Sequence, residues 1–96
     1  MTEATGGTVE HDRQRGRFSV REDGHEGYLD YRMDGGVMDI RHTIVPQAIG
    51  GRGIAGRLVR TALDFARAEG HRVCPSCEYA AAWMARHPDY DDLRAG

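Results

Sequence analysis

Three short stretches of this 96-residue chain hold residue types that could do chemistry. "GRGIAG", residues 51 to 56, puts glycines directly ahead of an apolar helical pattern. Glycine admits backbone angles closed to other residues and lets a bulky anion approach the amides. A helix start adds free N–H groups and a partial positive charge. Gly50, Gly51, Gly53 and Gly56 together therefore predict a phosphate or oxyanion site, the alternative being a loop that needs glycine only for its turns. "CPSC", Cys74 to Cys77, has the Cys-x-x-Cys spacing of redox motifs and of half a zinc site. His42, in an alternating stretch, shares an apolar face with Ile40 and Ile44, where a hydrogen-bonded core histidine is the ordinary reading.

Each motif is constrained by what surrounds it. Gly51 and Gly56 have the separation of a P-loop, but Arg57-Leu58 stands where Lys-Ser/Thr must reach phosphate and magnesium. "GRGIAG" also fits the G-x-G-x-x-G of dinucleotide-binding folds, whose glycines directly follow the first strand. Here Pro46 to Gly50 intervene, three antiparallel strands come first, and "HRVCPSC" lacks the acid expected about 20 residues on. A thioredoxin reading of "CPSC" fails because a long glycine-led helix precedes it and too little chain follows. Zinc would need two more ligands, for which His71 and His87 qualify by count only. We assign no metal. Cys74, continuing a strand, reads as a small buried hydrophobe, and Cys77, before a helix, as the better reactive thiol.

The elements that must position these residues follow from periodicity. "RFSV" alternates, "EDGHEG" reads as turn chemistry, "YLDYRM" alternates again, and "DGG" at Asp34 to Gly36 signals a hairpin. "VMDIRHTIV" predicts a third antiparallel strand, with Met38, Ile40, His42 and Ile44 on one face and Asp39, Arg41 and Thr43 on the other. Past the glycines, Ala55, Leu58, Val59, Ala62, Leu63 and Ala66 recur at helical spacing, for a helix of about 15 residues stopped by Gly70. "HRVC" is then a short strand, parallel to the third because a helix joins them. "EYAAAWMARH" makes a second helix ended by His87-Pro88, with Trp83 and Met84 as core. "DYDDLRAG" reads as an acidic tail.

Length and composition set the frame. The chain suffices for one domain with one core. Residues 1–15, with little apolar content, predict a disordered tail, and residues 16–96 a single domain. No apolar run suits export or membrane spanning, so a soluble cytoplasmic protein is expected. The net charge of −2 is segregated: residues 1–40 hold five Arg against nine acids, whereas residues 41–72 hold six Arg against Asp64 and Glu69. That basic middle surrounds the glycine loop and suits an anionic small molecule. A general basic surface for nucleic acid is missing.

"VPQAIGGRGIAGRLVRTALDFARAEGHRV" resembles the acetyl-CoA loop and helix of the GNAT superfamily of N-acetyltransferases, whose signature is Arg/Gln-x-x-Gly-x-Gly/Ala. Gly53 and Ala55 occupy its last two places, while Gly50 stands at its Arg/Gln position. More narrowly, "HTIVP", "GRGIAGRLV", "HRVCPSC" and "RHPDY", in this order between Phe18 and Leu93, are similar to the minimal GNAT-like proteins of roughly one hundred residues. The resemblance implies a minimal GNAT fold of the α/β (α+β) class, a mixed sheet of three antiparallel strands plus one parallel strand with two helices. It implies acetyl-CoA as cofactor, with the amides of Gly51, Arg52, Gly53, Ile54, Ala55 and Gly56 on its pyrophosphate and the strand end at Ile44 and Val45 along its pantetheine arm. Arg52 and Arg57 would compensate for the missing signature side chain.

In that minimal family the positions matching His42 and Cys77 form an active-site pair, and the resemblance carries this pairing over to the present chain. Transfer to an amine needs a deprotonated nucleophile, a base role that histidine suits near neutral pH. Cys77 would either accept the acetyl group or protonate the departing thiolate, and strand N–H groups would stabilise the oxyanion. Tyr79 and Tyr90 are further candidate acids, with ordinary packing as the favoured reading of both. The implied function is acetyl transfer from acetyl-CoA to an unidentified amine. A coenzyme A or acyl-CoA binding module without turnover is the alternative, and a thiol redox protein a third reading resting on "CPSC" alone. Neither the acceptor nor the oligomeric state is written in the sequence.

Overall fold

The computed structural model describes residues 8–95. Five strands, β1 (Glu10–Asp12), β2 (Arg17–Glu22), β3 (His25–Asp34), β4 (Val37–Ile44) and β5 (Arg72–Pro75), form one sheet in the order β1-β2-β3-β4-β5. The first four pair antiparallel and β5 runs parallel to β4. Helices α1 (Ile54–Glu69) and α2 (Glu78–Ala85) pack on one face of the sheet. The other face, carrying Arg17, Asp30 and His42, is open. The mixed sheet with two helices agrees with the predicted fold.

The turns show why the chain reverses where it does. Gly35 and Gly36 both take positive φ, 57° and 83°, so a two-residue turn joins β3 to β4 with the twist a hairpin requires. The earlier turn is tighter than "EDGHEG" suggests, being made by Asp23 and Gly24 alone. Gly27 is a buried residue of β3 whose missing side chain makes room for the start of α1. A Cβ there would lie 3.1 Å from the Cγ2 of Ile54 and 3.4 Å from that of Val45.

The core lies between the sheet and α1, built from Phe18, Val20, Leu29, Met38 and Ile40 against Leu58, Val59, Ala62, Leu63 and Ala66. These are the helical positions that the periodicity selects. Gly70 ends α1 in the left-handed conformation, its N–H donating to Ala66 and Arg67 carbonyls. Trp83 and Met84 are buried, as expected.

Both ends of the chain correct the sequence reading. Of the predicted tail, residues 1–7 lie outside the described residues, but Glu10–Asp12 is not disordered: it is an edge strand on β2. His11 holds it there, stacked on Phe18 at 3.9 Å between ring centroids, edge-on to Phe65, and hydrogen-bonded to the Tyr31 hydroxyl. Burial and the Arg13 charge push the imidazole below its ordinary value. Three residues are too few for a period to reveal them. The acidic tail is likewise structured, as a 3-10 helix over Pro88–Leu93. Tyr90 and Leu93, three apart and therefore on one side of such a helix, join the core. The Tyr90 hydroxyl donates to Asp64, Arg67 grips Asp92, and the Ala95 N–H donates to the Val73 carbonyl.

Candidate functional site

The glycine loop leads into α1 as a helix N-terminus without a side-chain cap. Gly51 and Gly53 adopt φ of 77° and 76°, and no heavy atom lies within 4 Å of where their side chains would be. Gly53 is the N-cap, gives no side-chain cap, and no acid occupies the first turn. The first intrahelical bond is that of Arg57 to Gly53. The N–H groups of Ile54, Ala55 and Gly56 are thus left at the helix's positive end without an acceptor from its own backbone.

Beside them is a pocket of about 240 Å³ lined by Val45, Gly50, the loop glycines, Ala55 and the Tyr79 side chain from α2. α2 packs against the start of α1 at position 56. A Cβ there would meet Trp83 Nε1 at 3.4 Å and the Tyr79 hydroxyl at 3.6 Å. Tyr79 therefore stands where the loop's ligand would be, whereas Tyr90 is spent on Asp64. Ile54 also lines the pocket, and it is a buried core residue.

Two assigned residues turn away from this pocket. Arg52 reaches back to the β2–β3 turn, 3.0 Å from Glu22 and 2.9 Å from Asp23. Arg57 lies 3.6 Å from the same Glu22, whose side chain is only 8% exposed. The two arginines expected to stand in for the signature side chain are thus already matched by carboxylates. Ile44 is 46% exposed and does not line the pocket.

The strands next to the pocket part company. The β4–β5 ladder ends at Ile40↔Pro75, where the Cys77 N–H donates to the Ile40 carbonyl at 2.9 Å. From there β5 gives way to α2, and His42 to Ile44 pair only with β3. This leaves a gap running from Ile40 towards Val45 and the glycine loop.

A β-bulge changes what faces that gap. Asp30 pairs with His42 and the next residue, Tyr31, with Ile40, so Arg41 is an extra residue in β4. One extra residue reverses the alternation beyond it. His42 does not share the face of Ile40, as the uninterrupted period requires, but lies with Ile44 on the open face, against Arg17 and Asp30. Thr43, opposite the buried Leu29, points to the helical side instead.

Cys77 is on that helical side. Its thiol donates to the Thr43 hydroxyl at 3.5 Å. The structure therefore places His42 and Cys77 on opposite faces of β4 and does not bring them into contact. Cys74 corrects another expectation: it is exposed, because Val73 is the residue of β5 that faces the core. Its sulfur lies 3.7 Å from Ser76, whose hydroxyl donates to Asp39. Both cysteines are free, and among the described residues no group of three His, Cys, Asp or Glu could hold a metal. No helix among these residues is long and apolar enough to cross a membrane.

An antiparallel meander extended by one parallel strand, with a glycine-led helix beside the point where the last two strands part, is the architecture of a GNAT domain. Residues 17–93 match the family profile of the GCN5-related N-acetyl-transferases, and the chain belongs to that family. Proteins named NATD1 are similar over most of its length. The Mus musculus protein is 43% identical over 83 residues, covering 83% of this chain and 76% of its own. The Homo sapiens protein is 41% identical over 83 residues, with 83% and 74% covered. The solution structure of a GCN5-like protein from Staphylococcus aureus superposes with a TM-score of 0.75 over 97% of this chain and 92% of its own, at 22% identity, a likeness of fold.

Proposed function

We propose that this protein transfers the acetyl group of acetyl-CoA to an amine. The observation that carries the reading is the uncapped N-terminus of α1 with a pocket beside it against Val45 and Tyr79, in a sheet whose β4–β5 ladder stops at Ile40↔Pro75. Orphan amides at a helix's positive end suit a diphosphate. The unpaired edge of β4 up to Ile44 and Val45 suits the amides of a pantetheine arm, which can pair with it as a strand would. Bound acetyl-CoA supplies an activated thioester.

The residues around the gap then divide the work. The amides of Gly51, Arg52, Gly53, Ile54, Ala55 and Gly56 hold the diphosphate. His42, on the open face of β4, takes the proton of the attacking amine. The Tyr79 phenol, in the loop pocket, is the acid for the departing thiolate. The Cys77 thiol donates to the neutral Thr43 hydroxyl and not to a base, so direct attack by the amine accounts for the geometry better than an acetyl-cysteine route.

The separation of His42 from Cys77 and the engagement of Arg52 and Arg57 also favour a second reading, a binding module for coenzyme A that does not turn over. Two measurements separate them. Acetyl-CoA at one hundred times its Kd raises stability by about 2.7 kcal/mol in both readings. Release of free thiol with an amine panel belongs to the enzyme alone. Absence of a stability shift would dismiss both.

A further inference from the structure

The open face of the sheet holds a bowl of about 360 Å³ with His42 in its wall and four arginines, Arg15, Arg17, Arg32 and Arg41, around a single carboxylate, Asp30. Asp30 is spent on Arg17, which grips it through two hydrogen bonds of 2.7 and 3.1 Å while lying over the Tyr28 ring. Arg41 has only Asp39, at the 4.0 Å limit of an ion pair. Among the described residues Arg15 and Arg32 have no carboxylate within that distance. Three guanidiniums without a close ion pair line one concavity. Such a lining is self-repelling unless an anion joins it, and the planar guanidinium matches carboxylate and phosphate oxygens in pairs.

The bowl surrounds His42 and shares no lining residue with the pocket beside the glycine loop. An amine that reaches His42 has the rest of its body among these arginines. From this we infer that the acceptor is a small anionic amine, one that carries a carboxylate or a phosphate beside its amino group. The volume is that of a small-molecule site. Cationic acceptors such as polyamines meet repulsion there. The inference rests on His42 being the base of the proposed transfer. In that step the amine lone pair forms the C–N bond to the acetyl carbon while the C–S bond breaks with its electrons on sulfur. The proton leaving nitrogen goes to His42 and sulfur gains one, so coenzyme A departs as the thiol.

The test is thiol release by the full chain with acetyl-CoA and matched acceptors: O-phosphoethanolamine against ethanolamine, β-alanine against propylamine, and spermidine. The phosphate and carboxylate arms tell the two anion sources apart. The expected result is kcat/KM about tenfold or more higher for an anionic amine than for its neutral partner, the worth of one charge-assisted hydrogen bond. In an Arg15→Gln/Arg32→Gln variant that preference collapses through KM, with kcat and the Kd for coenzyme A unchanged. Equal rates for neutral or cationic amines, or a preference that survives in the variant, overturn the inference and leave acetyl transfer standing. The same two anionic amines are titrated by NMR at the His42 and arginine side chains, with coenzyme A bound. Binding there without turnover of any amine sinks the transfer reading and leaves an anion site. If the anionic amines neither bind nor turn over, the inference is overturned.

Discussion

The Cys77 thiol donates a hydrogen bond to the Thr43 hydroxyl at 3.5 Å, on the side of β4 opposite to His42. Two residues that a family resemblance pairs as partners are therefore divided by the strand itself. Their loss should have unequal consequences. His42→Ala is expected to lower kcat by about 10²- to 10⁴-fold, the usual worth of a general base. Cys77→Ala should cost less than about tenfold, and no acetylated Cys77 should accumulate when the protein meets acetyl-CoA without an acceptor. Mass spectrometry and steady-state rates check this together. An acetyl-cysteine formed at a catalytically competent rate would reverse the assignment.

Position 56 separates folding from binding. Its backbone is helical, and an added methyl meets Trp83 Nε1 at 3.4 Å and the Tyr79 hydroxyl at 3.6 Å, contacts that need little adjustment. Gly56→Ala should therefore fold with unchanged or higher stability, the helix gaining up to about 1 kcal/mol. The methyl narrows the pocket, so coenzyme A binding should weaken. Gly53→Ala behaves differently, because φ of 76° penalises any side chain. It should lose about 1 kcal/mol of stability as well as affinity. Calorimetry and thermal unfolding of the two variants distinguish these outcomes.

Glu22 is the restraint on the loop's positive charge. Its carboxylate holds Arg52 at 3.0 Å and lies 3.6 Å from Arg57. Glu22→Gln removes that negative charge without removing the side chain. Coenzyme A should bind more tightly to the variant, with a steeper dependence on salt, since more cationic charge then faces the diphosphate. Isothermal titration at two ionic strengths reads both. Unchanged affinity would mean that the arginines serve only to tie α1 to the β2–β3 turn.

Stability should fall on mild acidification because of His11. Burial and Arg13 hold its folded-state value below the ordinary one of about 6.5. The unfolded chain accordingly binds a proton first as pH drops past that point. This contribution is whole above about pH 6.5, declines below it, and levels off once the folded imidazole is protonated too. His11→Phe, which can keep the stack on Phe18 but loses the Tyr31 hydrogen bond, should flatten the profile between about pH 7 and 5. Thermal unfolding across that range measures it. The Arg67 hydrogen bond lowers the Asp92 carboxyl, so its share is lost only at more acid pH.

The elements themselves were legible wherever apolar residues recur over a long enough window. α1 begins one residue before the predicted Ala55 and ends at Gly70 as read. The strands of the meander lie where alternation and the "DGG" turn put them. What escaped are features a residue or three long: the edge strand around His11, the 3-10 helix that buries Tyr90 and Leu93, and above all the extra Arg41 in β4. Neither an isolated aromatic stack nor a bulge alters a hydrophobic period enough to show. Gly27 was read as turn material although its role is to admit Ile54 and Val45. Only its neighbours in space reveal that.

By itself, then, the sequence determined the order of the longer elements and the free amides of the glycine loop. Helical and strand periods are local properties of the chain, and a run of glycines before a helix needs no distant partner to expose its amides. The tertiary structure decided which side chains face which side. That depends on register between strands, and one inserted residue at Arg41 is enough to carry His42 from the predicted core face to an arginine-lined bowl and to leave Cys77 with Thr43.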